Sequence, residues 1–268
     1  MKLKLASFIV SFPLLLPVVA VCSPAGNKDE KCNIDRFDAE IVAVYPHEAV
    51  NFSQGLAYES GILYESTGIY GRSTVQYYGL DVPVKKKSVA LPTQYFGEGL
   101  TIVDNRIVQL TFREGTAFVY DKSTLAPVGR FKYEGEGWGL AYNGKELIMS
   151  DGSSTLRFYD PVQFRLLRKL NVKRCGMALP MLNELEYIDG ELYANVWQTN
   201  MIVSIDLQSG SVVGETDLSS IAGRYHGNPA IDVLNGIAWD AEHRRLFVTG
   251  KFWPHIYQVK LIKRVSGK

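Results

Sequence analysis

A short pattern recurs five times along this 268-residue chain: a polar or aromatic residue, then usually Gly, then Leu or Ile. The occurrences are Gln54-Gly55-Leu56, Glu98-Gly99-Leu100, Trp138-Gly139-Leu140, Asn183-Glu184-Leu185 and Asn235-Gly236-Ile237. Their Leu/Ile positions lie 44, 40, 45 and 52 residues apart. Turn residues follow each one: Glu59-Ser60-Gly61, Asp104-Asn105, Asn143-Gly144, Asp189-Gly190 and Asp240-Ala241-Glu242. A second apolar run then begins, at 63–67, 107–112, 147–151, 192–197 and 246–251. Asn-Gly and Asp-Gly between two such runs specify tight hairpins, whose central residues need positive φ. Further strand–turn–strand stretches, such as 116–133 and 201–218, fill the units. Four strands per unit at this period is the signature of a β-propeller blade.

The sequence therefore predicts an all-β fold, a five-bladed β-propeller of four-stranded blades occupying 39–268. Strands at 39–44 and 256–262 would complete one blade jointly and close the ring. Two β-sandwiches would suit the length but would not produce a five-fold recurrence. No amphipathic helix of useful length stands between strands, which excludes a βαβ alternation. The widest spacing holds 219–230, expected to be a short helix or lid loop on the functional face.

The first residues obey different rules. Lys2 and Lys4 precede an apolar run from Leu5 to Ala20, broken by Pro13 and Pro17 and followed by small residues. This reads as a cleaved export signal over 1–25, with a linker over 26–38, rather than a membrane anchor. Removing the two lysines leaves 27 basic residues against 28 acidic ones, a formal charge of −1 in place of +1. Such a chain lacks the basic face that nucleic acid demands. Export would place the mature protein in a periplasm or outside the cell, soluble and off the membrane. There Cys32 and Cys175 would either form a disulfide or remain as two thiols. The four His are scattered, with no metal-ligand spacing. Asn51-Phe52-Ser53 is a formal glycosylation triplet of a kind that arises easily by chance.

The residue before each Gly varies: Gln54, Glu98, Trp138, Asn183, Asn235. A scaffold that repeats around a site that does not would show this pattern. The ends of the second strands add Glu65, Phe112, Asp151, Trp197 and Lys251. Many propeller channels carry polar side chains that only hold water, and that is the simpler reading of any one amide. Glu98 departs from it. It lies in Phe96-Gly97-Glu98-Gly99, where glycines permit close backbone approach and an aromatic wall raises a carboxyl toward neutrality. A lone carboxyl in aromatic surroundings suits proton shuttling. Glu65 and Asp151 are expected to be structural.

The ordered motifs carry a resemblance. Phe52-Ser53-Gln54-Gly55-Leu56, Tyr64-Glu65-Ser66-Thr67-Gly68, Phe96-Gly97-Glu98-Gly99-Leu100-Thr101, Gly135-Glu136-Gly137-Trp138-Gly139-Leu140, Asn183-Glu184-Leu185-Glu186-Tyr187, Ala194-Asn195-Val196-Trp197 and Thr249-Gly250-Lys251-Phe252-Trp253 are among them. From about Ala39 to Leu261 the chain resembles the plant-type (papaya-type) glutaminyl-peptide cyclotransferases and their bacterial relatives. The resemblance implies an enzyme that converts the N-terminal glutamine of a peptide or protein into pyroglutamate and releases ammonia; the chain is expected to be a monomer. It places the essential glutamate on Glu98 and other pocket residues on Phe52, Gln54, Phe96, Trp138, Asn183, Trp197 and Lys251. It implies no metal or other cofactor for catalysis, while a structural ion in the channel stays an open alternative. The family commonly has Trp after Gln-Leu-Thr; here Phe112 keeps an aromatic wall without an indole N–H. For Lys251 two roles stay open, steadying negative charge on the γ-oxygen or neutralising a nearby carboxylate. The rival reading is a non-enzymatic propeller that binds a peptide or small ligand at its channel mouth. A lactonase-like hydrolase would need a metal cage of carboxylates and His that the scattered His do not offer.

Overall fold

The structure, a computed structural model, describes residues 32–81 and 86–265. The expected export signal over 1–25 lies outside the described residues, as do 26–31 of the expected linker. The described chain is built from strands, with one short helical stretch at Ser219–Ala222 and Gly223–Tyr225 inside the widest repeat spacing.

The strands form four-stranded antiparallel meanders. The first comprises β2 (Ser53–Glu59), β3 (Ile62–Thr67), β4 (Thr74–Gly79) and β5 (Lys87–Ala90), after an N-terminal strand β1 (Asp35–Pro46). The second comprises β6 (Gly97–Val103), β7 (Arg106–Thr111), β8 (Thr116–Asp121) and β9 (Pro127–Lys132). The third comprises β10 (Leu140–Tyr142), β11 (Leu147–Met149), β12 (Thr155–Tyr159) and β13 (Leu166–Asn171). A two-stranded hairpin, β14 (Lys173–Arg174) and β15 (Met177–Ala178), follows. The rest of the chain supplies β16 (Leu182–Ile188), β17 (Glu191–Val196), β18 (Met201–Asp206), β19 (Val212–Asp217), β20 (Leu234–Asp240), β21 (Arg245–Gly250) and β22 (His255–Lys263). Together with β1 these make one eight-stranded sheet in the order β16-β17-β18-β19-β1-β22-β21-β20. Its β19–β1 step is parallel and short, Asp35–Asp38 against Gly214–Asp217. The whole is a propeller-like all-β fold.

The expected pairing of the two terminal strands is present: β1 runs antiparallel to β22 from Phe37↔Lys263 to Pro46↔His255. The N-terminal strand starts at Asp35 rather than at 39, so the expected linker ends earlier. Its first four residues are held in extended form by the parallel contact with β19, a long-range pairing that no local pattern announces. Just upstream, Cys32 and Cys175 form a disulfide with Cα atoms 5.0 Å apart.

Burial is graded from inner to outer strand. β2, β6 and β20 are buried along their first five residues, whereas β5, β9 and β13 are mostly exposed. Outer strands accordingly carry Lys87, Arg130, Lys132, Arg168 and Lys169, charges that discourage edge-to-edge association. Apolar clusters lie between successive sheets: Leu56 and Leu63 meet Phe247 and Ile256, and Leu110 and Val108 meet Leu140 and Met149. The hairpin turns fall where Gly and Asp predict them, with positive φ at Gly61, Asp104, Gly144 and Asp189.

The repeated Gly has a steric cause. A Cβ on Gly99 would stand 2.6 Å from both Leu140 N and Trp138 O. A Cβ on Gly55 would meet Leu100 N, and one on Gly139 would meet Asn183 O, at still shorter range. Inner strands of neighbouring sheets thus touch backbone to backbone. Polar links join them: Gly99 N to Trp138 O (2.6 Å), Ser150 Oγ to Asn183 O (2.6 Å), Gly236 N to Asn195 Oδ1 (3.0 Å) and Asn235 Nδ2 to Ser53 O (2.9 Å). Glu184 replaces Gly in one repeat, and its buried carboxylate accepts Leu56 N at 3.2 Å and Ile237 N at 2.8 Å. One side chain therefore ties three inner strands.

Gly139→Ala is expected to destabilise the fold by at least about 2 kcal/mol, since the obstructing atoms are backbone. Glu184→Leu is expected to cost about 1–3 kcal/mol or more, because Leu56 N and Ile237 N are then buried without their acceptor. Gly223→Ala, in helical backbone with open space around it, should be neutral or slightly stabilising. Urea denaturation of the three variants checks this order, and equal stability of Gly139→Ala and Gly223→Ala would contradict the close-packing account.

Candidate active site

Each inner strand begins at the same end of the sheet stack, so the residues before the repeated Gly converge there. Gln54 and Glu98 sit at the starts of β2 and β6, Asn183 at the start of β16, and Trp138 just before β10. The second strands return to this end. Their expected last residues, Phe112, Trp197 and Lys251, lie one residue beyond the ladders of β7, β17 and β21. Released from sheet pairing, these side chains turn inward. Phe52 and Phe96 precede β2 and β6 in the same way.

All nine residues line one cavity of about 180 Å³: Phe52, Gln54, Phe96, Glu98, Phe112, Trp138, Asn183, Trp197 and Lys251. Its walls are aromatic. Trp138 and Trp197 meet edge to face with centroids 5.4 Å apart, and Phe96 lies 6.1 Å from Phe52 and 5.9 Å from Phe112. Small residues make room for the rings: a Cβ on Gly152 would fall 2.6 Å from the Trp138 ring, and one on Gly68 would strike Phe96. Wider depressions of about 530 and 590 Å³ lie at the opposite ends of the strands, around Arg245 and around Trp239. The first is dominated by Arg245 ion-paired to Asp81 and Asp240, which leaves it chemically satisfied.

Glu98 is 5% exposed, and its one side-chain hydrogen-bond partner among the described residues is Gln54, whose Nε2 donates to Oε1 at 3.0 Å. Burial pushes the carboxyl well above the usual carboxylate range, Lys251 opposes the shift, and Glu136 and Glu114 add to it. Burial likewise lowers the Lys251 ammonium, with Glu98 and Asp232 opposing. Lys251 Nζ lies over the face of Phe52, 4.6 Å from its centroid, and forms no ion pair with Glu98. Its backbone is pinned to the segment after the helical insertion, by Lys251 N to Val233 O (2.9 Å) and Asp232 N to Lys251 O (3.0 Å). This support comes from Asp232 and Val233, whereas 219–230, expected on the functional face, lines none of the cavity.

The other candidates point elsewhere. Glu65 accepts hydrogen bonds from Ser53 Oγ (2.6 Å), Asn51 Nδ2 (2.8 Å), Gln76 Nε2 (2.8 Å) and Tyr78 OH (3.2 Å), and contacts His47 Nε2 at 3.0 Å. Burial alone would raise it, but His47 and these donors hold it below the usual range. Asp151 pairs with Arg157 at 3.1 Å and caps Ser153. Both are structural. Asn51 is buried and spent on Glu65, so the glycosylation triplet is no acceptor site. Asn235 stands behind Gln54 rather than in the cavity wall. Glu136 and Arg113 escaped the sequence reading. Glu136 accepts from Trp138 Nε1 (3.0 Å) and from Arg113 Nε (2.9 Å), and Arg113 lies 4.5 Å above Phe112. The Glu136-Gly137-Trp138 spacing carried a signal for the first contact; nothing local signalled the second. Among the described residues no group of three or more His, Cys, Asp or Glu side chains is placed to hold a metal ion. Nor is any helix long and apolar enough to cross a membrane.

A propeller-like stack of sheets encloses one desolvated carboxyl in an aromatic cavity, an arrangement chemically suited to proton transfer. The family model of glutamine cyclotransferases matches residues 14–261, and this chain belongs to that family. It is 44% identical over 235 residues to the glutaminyl-peptide cyclotransferase of Arabidopsis thaliana, covering 86% of this chain and 73% of the relative. The crystal structure of Myxococcus xanthus glutaminyl cyclase superposes with a TM-score of 0.79 at 35% identity, over 87% of this chain and 100% of that one.

The buried His47–Glu65 pair makes stability depend on pH. Burial alone would lower His47, but Glu65 raises it above its ordinary 6.5. Its contribution is complete below 6.5 and is lost as pH rises through the raised value. That of Glu65 is present above its ordinary 4.5 and is lost as pH falls through the lowered value. Denaturation midpoints measured from acid to alkaline pH should therefore decline at both ends. His47→Gln should shrink the alkaline decline, and an unchanged alkaline limb would refute this assignment.

Proposed function

We propose that this chain is a glutaminyl-peptide cyclotransferase in which Glu98 serves as general base and then as general acid. The observation that carries the reading is the cavity itself: one buried carboxyl of raised proton affinity, enclosed by five aromatic side chains, in a chain of this family. The substrate's α-amine must be neutral to attack. Glu98 takes its proton, the nitrogen bonds to the γ-carboxamide carbon, and a five-membered lactam closes. The C–N bond of the carboxamide then breaks, and Glu98 returns the proton so that ammonia leaves. No net proton is consumed. Positioned acid–base catalysis of this kind supplies roughly 10²–10⁴-fold.

The remaining demand is conformational. Phe52, Phe96, Phe112, Trp138 and Trp197 would hold the flexible glutamine side chain curled toward its own amine. A cavity of about 180 Å³ suits one such side chain, with the following residues of a peptide or protein outside. Asn183 and Gln54 supply amides to orient the substrate. Lys251 is not paired with Glu98, which favours its role at the developing negative charge on the γ-oxygen. No metal or other cofactor is invoked for the reaction, and the chain is proposed to act as a monomer.

The architecture proposed is a five-bladed propeller. The parallel β19–β1 step divides the eight-stranded sheet into β16–β19 and the set β20, β21, β22 and β1, which with the three separate sheets gives five. Export to the periplasm or the exterior is supported by the basic, then apolar N-terminal sequence and by the Cys32–Cys175 disulfide, which belongs to an oxidising compartment.

Purified protein incubated with a Gln-initiated peptide, without added metal, is expected to release ammonia, with the peptide losing the mass of one ammonia. A peptide that is bound but unchanged would favour the non-enzymatic reading. Glu98→Gln is expected to lower kcat by about 10²-fold or more. The same variant should be at least as stable as the parent at neutral and alkaline pH. Glu98's raised proton affinity means that the folded state loses stability as pH rises through its pKa, and an amide escapes that loss. Activity retained by Glu98→Gln would sink the assigned chemistry.

A further inference from the structure

We infer that Asn235 is a positioning residue that sets the state of Glu98 through Gln54. The inference rests on the reading of Glu98 as the base. Asn235 is 0% exposed and takes no part in the cavity wall. Its Nδ2 donates to the backbone oxygen of Ser53 at 2.9 Å and to Gln54 Oε1 at 3.3 Å. Gln54 Nε2 then donates to Glu98 Oε1 at 3.0 Å.

This chain of contacts has a direction. A backbone carbonyl can only accept, so the Asn235 atom that faces Ser53 O must be the NH2. That NH2 also faces Gln54, so the Gln54 atom turned toward it must be the carbonyl oxygen. The other end of the Gln54 amide, the donor, is then left facing Glu98. The orientation of an otherwise two-fold ambiguous amide is fixed from an unambiguous backbone atom two links away. An N–H on the carboxylate favours its ionised form, the form that accepts a proton. With Gln54 reversed, a carbonyl oxygen would face Glu98, and the contact would be favourable only with Glu98 protonated.

A second observation points the same way. Among the described residues no side chain or backbone group donates to the buried Asn235 Oδ1. The protein groups around the side chain engage only its NH2, which serves two acceptors. The donor end is the part in use. An Asp here would set acceptors against both Ser53 O and Gln54 Oε1. The other charged and titratable groups that act on Glu98 are Lys251, Glu136 and Glu114, with Tyr70 and Tyr133 also within its field. The link from Asn235 to Glu98 runs through Gln54 and uses none of them.

The test compares the parent protein with Asn235→Leu, Asn235→Ser, Gln54→Leu and the double variant Gln54→Leu/Asn235→Leu. Turnover of a Gln-initiated peptide is followed from about pH 5 to 9, across the range where a raised carboxyl titrates. The acid limb of kcat/KM is expected to move up by about one pH unit in both Asn235 variants, the size of one lost hydrogen bond to a charged group. At neutral pH kcat should fall about 10-fold with KM little changed. Serine is too short to reach Gln54, so it decides the matter if the leucine variant does not fold. In the Gln54→Leu background the second substitution should add nothing. An acid limb that stays in place in a folded Asn235 variant, or an equal further loss in the Gln54→Leu background, overturns the inference. Infrared titration of the Glu98 carboxyl, identified as the band missing from Glu98→Gln, reads the same shift without turnover. A parent protein that shifts its Glu98 band on Asn235→Leu but releases no ammonia would overturn the cyclotransferase reading and leave the positioning role standing.

Discussion

Backbone contact between the inner strands is the constraint on which the structure depends. Gly55, Gly99 and Gly139 have no space for a Cβ because the next inner strand occupies it. This approach sets the period of the repeat, since each unit must return its first strand to the same axis. It also sets the site. With the glycines locked together, the residue before each one is carried to the same end of the stack. Glu184 shows how firmly the axis is filled: where Gly is missing, a carboxylate spans the gap and binds amides of β2 and β20. Repeat and cavity are two results of one packing rule.

The same packing withdraws several carboxyls from water, and their partners decide what each can do. Glu65 has a His and four neutral donors, its charge is fully met, and its affinity for a proton is lowered. Such a group holds strands and does no chemistry. Glu98 has one amide donor, an ammonium that stands off over Phe52, and two acidic neighbours in its field. Its proton affinity is raised. Glu186, with a single backbone donor, is pushed up to about 8 by burial but lies away from the cavity. Raised affinity alone therefore does not mark the active carboxyl. It must coincide with a space in which a substrate atom can stand, and only Glu98 among these meets both conditions.

Much of this could be read from the chain. The hairpin turns, the recurring Gly-Leu and the four-strand period are local patterns, and they predicted the meanders because turn chemistry and inner-strand packing act locally. Seven of the nine cavity residues were legible for a related reason: each occupies a fixed place in the repeat, before the Gly or its replacement or at the end of the second strand, whereas Phe52 and Phe96 were named only through the family resemblance. What escaped depended on distant contacts. The early start of β1 at Asp35 is set by β19, far along the chain. The Cys32–Cys175 disulfide spans 143 residues, and spacing alone left it undecided. Asn235 was visible as a repeat position, yet its place behind Gln54 follows from a contact between strands 181 residues apart in the chain. Arg113 belongs to no motif, and its contact with Glu136 depends on the β7–β8 turn meeting the β9–β10 connection at the rim.

That rim contact explains how the cavity tolerates Phe112. An indole there would offer an N–H of its own; a phenyl ring offers only its faces and edges. One face is covered by the Arg113 guanidinium, and Arg113 is held by Glu136. The other oxygen of Glu136 receives the Trp138 indole N–H. A single carboxylate outside the cavity thus steadies two of its walls, one through a cation laid on a ring and one through a direct hydrogen bond. Its negative charge also adds to the upward pressure on Glu98. Shape and proton affinity are set together by the same side chain. A general base that must receive a proton from an amine and return it to a leaving nitrogen needs both. In the proposed reaction the walls would hold the two nitrogens in turn within reach, and the affinity must be high enough to take the proton and low enough to give it back.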